Sequence, residues 1–201
     1  MPLPNADGFI HSEDRDVHSW AMFRLVERHV TAPSGDDFQR TFVSTPGAVG
    51  IVAVTDDHRV VLVSQYSAAV HASVREIPAG MRDVPGEDPL ETAGRELREE
   101  TGYNASTFQR LGVCLSSPGV TDSAVEVYLA TGLTPGNSEP HGPEEDSMTI
   151  EHHMFSEALA MIDRNSSLIS STSKFWSVPI SSLSRAFGSE ARTVYVPNAR
   201  S

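Results

Sequence analysis

The chain has 201 residues, 39% of them hydrophobic, with a formal net charge of −12 at pH 7 and a single cysteine, Cys114. Its length suits one domain that buries a core without staples; the lone cysteine excludes an internal disulfide and is expected in the core of a cytoplasmic protein; and the negative charge opposes general nucleic-acid binding. No apolar run approaches the roughly 20 residues of a membrane span, and the acidic opening MPLPNADGFIHSEDRD is unlike the basic start of a secretory signal.

In chain order, Trp20 to Val30 carries Met22, Phe23, Leu25 and Val26 in a mixed pattern compatible with a strand or a short helix. The turn-rich TAPSGDD follows, then an expected strand from Phe38 to Ser44. Gly50 to Val54 and Val60 to Tyr66, separated by Thr55-Asp56-Asp57-His58, read as a hairpin. Val74 to Ile77 reads as a strand end stopped by Pro78-Ala79-Gly80. Pro85-Gly86 marks a turn, and Pro89, tolerated in a first helical turn, begins a run with Leu90, Ala93 and Leu97 at helical spacing. These three are expected to bury one side, with Gly102 as the stop. Leu111 to Ser116, Val125 to Leu133 and Ile150 to Phe155 read as strands. Ser156 to Asp163 reads as a helix that buries Ala158, Leu159 and Met161. The tail from Asn165 is rich in serine, and there is no internal repeat.

The segment GMRDVPGEDPLETAGRELREETGY, Gly80 to Tyr103, carries the chemistry. On a helix, residues three and four apart are neighbours, so Glu96, Glu99 and Glu100 are expected to present three carboxylates on one face. Such like-charge pairs cost about 0.2–0.5 kcal/mol each, and Glu100 lies at the helix end that disfavours anions. Divalent cations reverse the sign of that energy, and clustered hard oxygens suit Mg²⁺ or Mn²⁺ with substrate phosphate.

This segment resembles the Nudix box: a glycine, a spaced glutamate, then Arg-Glu-apolar-x-Glu-Glu-x-Gly. Six residues separate Gly80 from Glu87 where the box usually has five, and from Glu87 onward the spacing is regular. The flanks are similar to ADP-ribose pyrophosphatases: Glu76-Ile77-Pro78-Ala79-Gly80 resembles their E-L-P-A-G entry, Gln65-Tyr66 their Q-Y-R strand end, and Pro118 a proline that marks the subfamily. Ser67 and Ser123 depart from it, standing where an arginine and a glutamate are common. The resemblance covers roughly residues 20 to 165.

The resemblance implies a mixed-sheet α/β/α sandwich and metal-dependent hydrolysis of a nucleoside diphosphate linked to another moiety. ADP-ribose, cleaved to AMP and ribose 5-phosphate, is the leading substrate. It further implies that Ala79, Glu96, Glu99 and Glu100 hold the cations and that Arg95 holds the glutamates in position. The base is expected in the acidic loop Pro143-Glu144-Glu145-Asp146, with Glu145 ahead of Glu144 and Glu99 as competitor. Arg40, Arg75, Gly80, Met81, Pro118 and Gly119 are the candidate substrate contacts. Trp20, Phe23 and Phe42 are candidates for stacking a base but are more often core; His152 and His153 read as structural. A homodimer formed through N-terminal strands within about residues 1 to 45 is also implied. The alternatives are a Nudix hydrolase of a nucleotide sugar, dinucleoside polyphosphate or modified nucleotide, and a non-catalytic nucleotide-binding module.

Overall fold

A computed structural model describes residues 7–138 and 147–163. The described residues fall into two compact units, where the sequence suggests one domain. The first runs up to Gly47 and includes Leu115–Ala124, and the second comprises Ala48–Cys114 and the residues from Val125 onward. The serine-rich tail and the Glu144/Glu145 loop lie outside the described residues.

The first unit is an antiparallel sheet of β1 (Ile10–His11), β2 (Arg15–Trp20), β3 (Phe23–Thr31) and β4 (Asp37–Ser44). The ambiguous Trp20 to Val30 segment is therefore strand. Strand β3 is the hub, pairing with β2 over its first half, with β1 at its end and with β4 along its length. TAPSGDD makes the β3–β4 turn, with Gly35 at φ +89° in the region glycine adopts without steric cost. Residues 115–124 lie against β4: the Val43 N–H donates to Val120 O at 2.9 Å and the Asp122 N–H to Val43 O at 3.2 Å.

The second unit holds two sheets. Strands β5 (Ala48–Ala53), β8 (Ala79–Met81), β9 (Tyr103–Leu115) and β10 (Ala124–Pro135) form one in the order β8-β5-β10-β9. Strands β6 (Arg59–Ser67), β7 (Ala72–Glu76) and β11 (Thr149–Met154) form the other, in the order β11-β6-β7. Strand β5 pairs parallel with β10 and antiparallel with β8, so the first sheet is mixed. Its run AVGIVA is buried almost throughout, the uniform apolar pattern of a strand covered on both faces. Val49, Ile51 and Ala53 pack with Ala93 and Leu97 of helix α1 (Pro89–Thr101), whereas Val52 and Val54 pack with Val60, Leu62 and Phe155.

That two-sided burial corrects the hairpin reading. The turn forms, with the Thr55 N–H donating to Arg59 O at 2.9 Å. Yet β5 and β6 share only the Val54–Val60 bridge and enter different sheets. Their valines meet as facing layers, which covers more apolar surface than a two-stranded ribbon does. Other differences are local. Strand β9 is longer than Leu111 to Ser116, β8 is new, and Cys114 is half-buried rather than in the core. Helix α2 (Phe155–Asp163) starts one residue early and buries Ala158. No helix among the described residues is long and apolar enough to cross a membrane.

Candidate active site

Helix α1 is fixed at both ends by its sequence. Asp88 is the N-cap, its carboxylate accepting from the Leu90 N–H at 2.9 Å; Glu91 completes a capping box, and Pro89 opens the first turn. Gly102 closes the helix at φ +71°, its N–H donating to Arg98 O at 2.8 Å. The buried stripe is Thr92, Ala93, Leu97, Glu100 and Thr101. Leu90, expected to be buried, is 43% exposed in the first turn, and Thr92 takes a buried place instead.

The three glutamates gather on this helix, but their side chains do not converge as a triad. Arg95 Nη1 donates to Glu96 Oε1 at 2.8 Å and to Glu99 Oε2 at 2.9 Å. The same guanidinium grips Glu87 through Nε at 3.2 Å and Nη2 at 3.1 Å. Glu100 is buried and accepts from the Ala79 N–H at 3.0 Å. Arg95 thus offsets the repulsion expected between Glu96 and Glu99, and a strand amide gives Glu100 a hydrogen bond. As arranged, no three His, Cys, Asp or Glu side chains among the described residues are poised around one point for an ion.

The donors nevertheless fit a hard divalent cation. Three carboxylates issue from five consecutive residues beside strand β8, the oxygen-rich chemistry that Mg²⁺ and Mn²⁺ take. Glu96 is seated on the backbone of Gly80, where a Cβ would run into its carboxylate, so glycine makes the close approach possible. Burial pushes the Glu96 carboxyl above its ordinary range; Arg95 opposes that shift, and Glu99 and Asp83 add to it. Hydrogen bonds from Arg95, and then from Thr92, hold Glu87 below the usual range despite some desolvation. Arg95 is held firmly protonated, chiefly by Glu87. Met81, paired with Ala48, ends β8.

The candidate substrate contacts separate into two groups. Arg40, Pro118 and Gly119 line one cavity of about 360 Å³ in the first unit, together with Arg28, Phe42 and Asp122. Arg28 and Arg40 are direct cross-strand partners. Arg28 is paired with Asp14 at 2.6 Å and lies 4.8 Å from the Phe42 ring centroid, while Arg40 lies over Phe38 at 4.6 Å. Arg75 does not belong with them: its Nε donates to both oxygens of Glu151, at 3.0 and 2.9 Å. Facing β11 across the central strand β6 supplies that partner, a pairing invisible in the sequence. Trp20 is exposed and stacked on His18, and Phe42 is only half-buried, so neither is core. His152 contacts the Tyr103 hydroxyl at 3.0 Å and His153 contacts Glu151 at 2.8 Å, in keeping with structural roles.

The sequence model of the NUDIX domain matches residues 44–167. The chain belongs to the Nudix family. It is 42% identical over 149 residues to an ADP-ribose pyrophosphatase of Mycobacterium tuberculosis, covering 74% of this chain and 72% of that one. It is 35% identical over 146 residues to a methanol dehydrogenase activator of Bacillus methanolicus, covering 73% and 78%. Its fold is similar to a solved ADP compounds hydrolase, with a TM-score of 0.64 at 21% identity over 80% of this chain and 86% of that one. Dependence on a divalent metal is general among Nudix hydrolases. The Nudix match takes in β5 to α2 and every residue of the Arg95 cluster.

Proposed function

We propose that this Nudix protein hydrolyses a nucleoside diphosphate linked to a second moiety, with ADP-ribose, cleaved to AMP and ribose 5-phosphate, as substrate. The observation that carries the reading is the Arg95 clamp, which holds Glu87, Glu96 and Glu99 together beside Gly80 while Glu100 is anchored on Ala79. The choice of substrate is supported by the 42% identity to an ADP-ribose pyrophosphatase.

Glu96, Glu99 and Glu100, with the Ala79 carbonyl, hold the cation, Mg²⁺ or Mn²⁺. When bound, it supplies Lewis acidity toward the diphosphate and makes water a better nucleophile at neutral pH. Arg95 orients the carboxylates by occupying one oxygen each of Glu96 and Glu99. Gly80 and Met81 lie at the entry to this site. Glu145 takes the proton from the attacking water, with Glu144 and Glu99 as the competing bases. Within the first unit, Arg40, beside Pro118 and Gly119, is the candidate contact for substrate phosphate. The clamp does not require Arg75, which is committed to Glu151.

Two copies associate through the N-terminal strands. Every residue of β2 is exposed, and Phe9, Ile10, Val17 and Trp20 are 47%, 70%, 45% and 44% exposed, an apolar grouping that a second copy would cover.

The test is AMP and phosphate release from ADP-ribose, a nucleotide sugar, a dinucleoside polyphosphate and a nucleoside triphosphate, with Mg²⁺, Mn²⁺ or EDTA. ADP-ribose should be preferred and EDTA should stop turnover. Preference for another member overturns the substrate, and silence across the panel overturns the enzyme reading. Glu145→Gln should lower kcat by about 10²-fold or more, and an unchanged rate passes the role of base to Glu99.

A further inference from the structure

Thr92 has no place among the residues so far given a role. It sits on α1 with 0% exposure, in a stripe otherwise built for burial, where an alanine or valine would fill the space at lower polar cost. Its hydroxyl is directed at two acceptors. Thr92 Oγ1 donates to Glu87 Oε2 at 2.9 Å, and Asp88 O lies at 3.2 Å. Glu87 is in turn the carboxylate that receives both Nε and Nη2 of Arg95. The remaining nitrogen of that guanidinium, Nη1, bridges Glu96 and Glu99.

These contacts form one chain, from Thr92 to Glu87 to Arg95 to the Glu96 and Glu99 carboxylates. Each link limits the freedom of the next. The two bonds from Arg95 fix the Glu87 carboxylate and the guanidinium relative to each other, but leave the pair free to move together on two long side chains. A second donor on Oε2 from a rigid helix position fixes the plane of Glu87. A planar guanidinium that meets a fixed carboxylate through two nitrogens is itself fixed. Thr92 is suited to this because its β-branched side chain has few rotamers on a helix.

We propose that Thr92 is a positioning residue of the cation site, acting through Glu87 and Arg95 to set the orientation of Glu96 and Glu99. It touches neither substrate nor cation. The proposal rests on the reading of Glu96 and Glu99 as cation ligands, and it adds a residue outside their immediate surroundings. Outer partners of metal ligands tune affinity by about 10- to 100-fold, and one link further out the expected effect is smaller.

The experiment is Mn²⁺ titration of the full chain without substrate, followed by the paramagnetic resonance signal of free Mn²⁺, with Thr92→Val, Thr92→Ser, Glu87→Gln and the double variant Thr92→Val/Glu87→Gln. Circular dichroism reports whether each is folded. Thr92→Val should weaken Mn²⁺ binding by about 3- to 10-fold, and Thr92→Ser, which keeps the hydroxyl, should bind within about twofold of the unaltered chain. Should Thr92→Val not fold, the smaller Thr92→Ala takes its place with the same expectation. If Thr92 acts through Glu87, its substitution adds nothing once Glu87 is glutamine. Unchanged affinity in a folded Thr92→Val protein, equal losses for the serine and valine variants, or additive losses in the double variant would each overturn the proposal. If the unaltered chain binds no Mn²⁺, the cation-site reading fails and the proposal falls with it; the other contrary outcomes leave that reading standing.

Discussion

Arg95 and Arg40 meet opposite electrostatic surroundings, each within its own unit. Arg95 is a single cation among Glu87, Glu96, Glu99 and, at 3.5 Å, Asp83. Arg40 lies directly across the sheet from a second arginine, Arg28, where like charges are unfavourable, and it covers Phe38. Arg28 has Asp14 to balance it, whereas no ion pair is found for Arg40 among the described residues. The first arrangement is an excess of anion; the second sets two arginines and Asp122 around a cavity. In a chain with 27 acidic and 15 basic residues, two arginines side by side are the feature of this cavity that favours an anionic ligand, with Asp122 in the same lining opposing it.

The sharpest way to break this contrast is to remove charge from the anionic side. Glu96→Gln, Glu99→Gln or Glu100→Gln should each lower turnover by more than about 100-fold, beyond what loss of an outer partner costs. The far-ultraviolet circular dichroism spectrum should stay unchanged. A rate within tenfold of the unaltered chain for any of the three would remove that residue from the cation site.

Arg95→Met tests the same side from the opposite direction. Three carboxylates lose their shared counterion, so the fold should lose roughly 3 kcal/mol in urea unfolding, the low end for breaking a buried pair because Arg95 is 23% exposed. Added Mn²⁺ should restore more stability to this variant than to the unaltered chain. Equal Mn²⁺ stabilisation of both would show that Arg95 and the cation do not compete for the same carboxylates.

On the cationic side, Arg40→Ala should raise KM for ADP-ribose by about 10-fold with kcat nearly unchanged, the size of one charge-assisted hydrogen bond. A fall in kcat at constant KM would place Arg40 in the chemical step instead.

The two sites also differ in how far they could be read in advance. Arg95, Glu96, Glu99, Glu100 and Gly102 lie within one helix and its cap, so the helix and its stop were legible from local spacing, whereas the contacts to Glu87 and Ala79 outside the helix were not. Helix α1, β5, β6, β10 and β11 were legible for the same local reason. The pairing of Arg28 with Arg40, of Arg75 with Glu151 and of residues 115–124 with β4 joins segments up to 79 residues apart, and no spacing rule reports those. The separation of β5 from β6 was hidden because a continuous apolar run reads alike whether its strand joins a hairpin or faces another sheet. Thr92 was hidden differently: it sits in a buried stripe, where threonine passes for an apolar residue.

The smallest expected effect concerns the acid that balances Arg28. A hydrogen bond from Arg28, and then its charge with those of His11 and Arg24, holds the Asp14 carboxyl below its ordinary value of 3.8 against some desolvation. For a group whose folded pKa is depressed, the stabilisation is complete above the unfolded value and disappears as pH falls through the folded one. The advantage of the unaltered chain over Asp14→Asn should therefore be complete well above pH 3.8 and shrink as pH falls below it, with a plateau of about 0.2–1 kcal/mol for a partly exposed pair. Thermal unfolding of both proteins across that range measures it. A difference that does not shrink as the solution is acidified would mean that the carboxyl acts by shape or neutral hydrogen bonding, and Asp122 would then be the remaining acid that acts on Arg28.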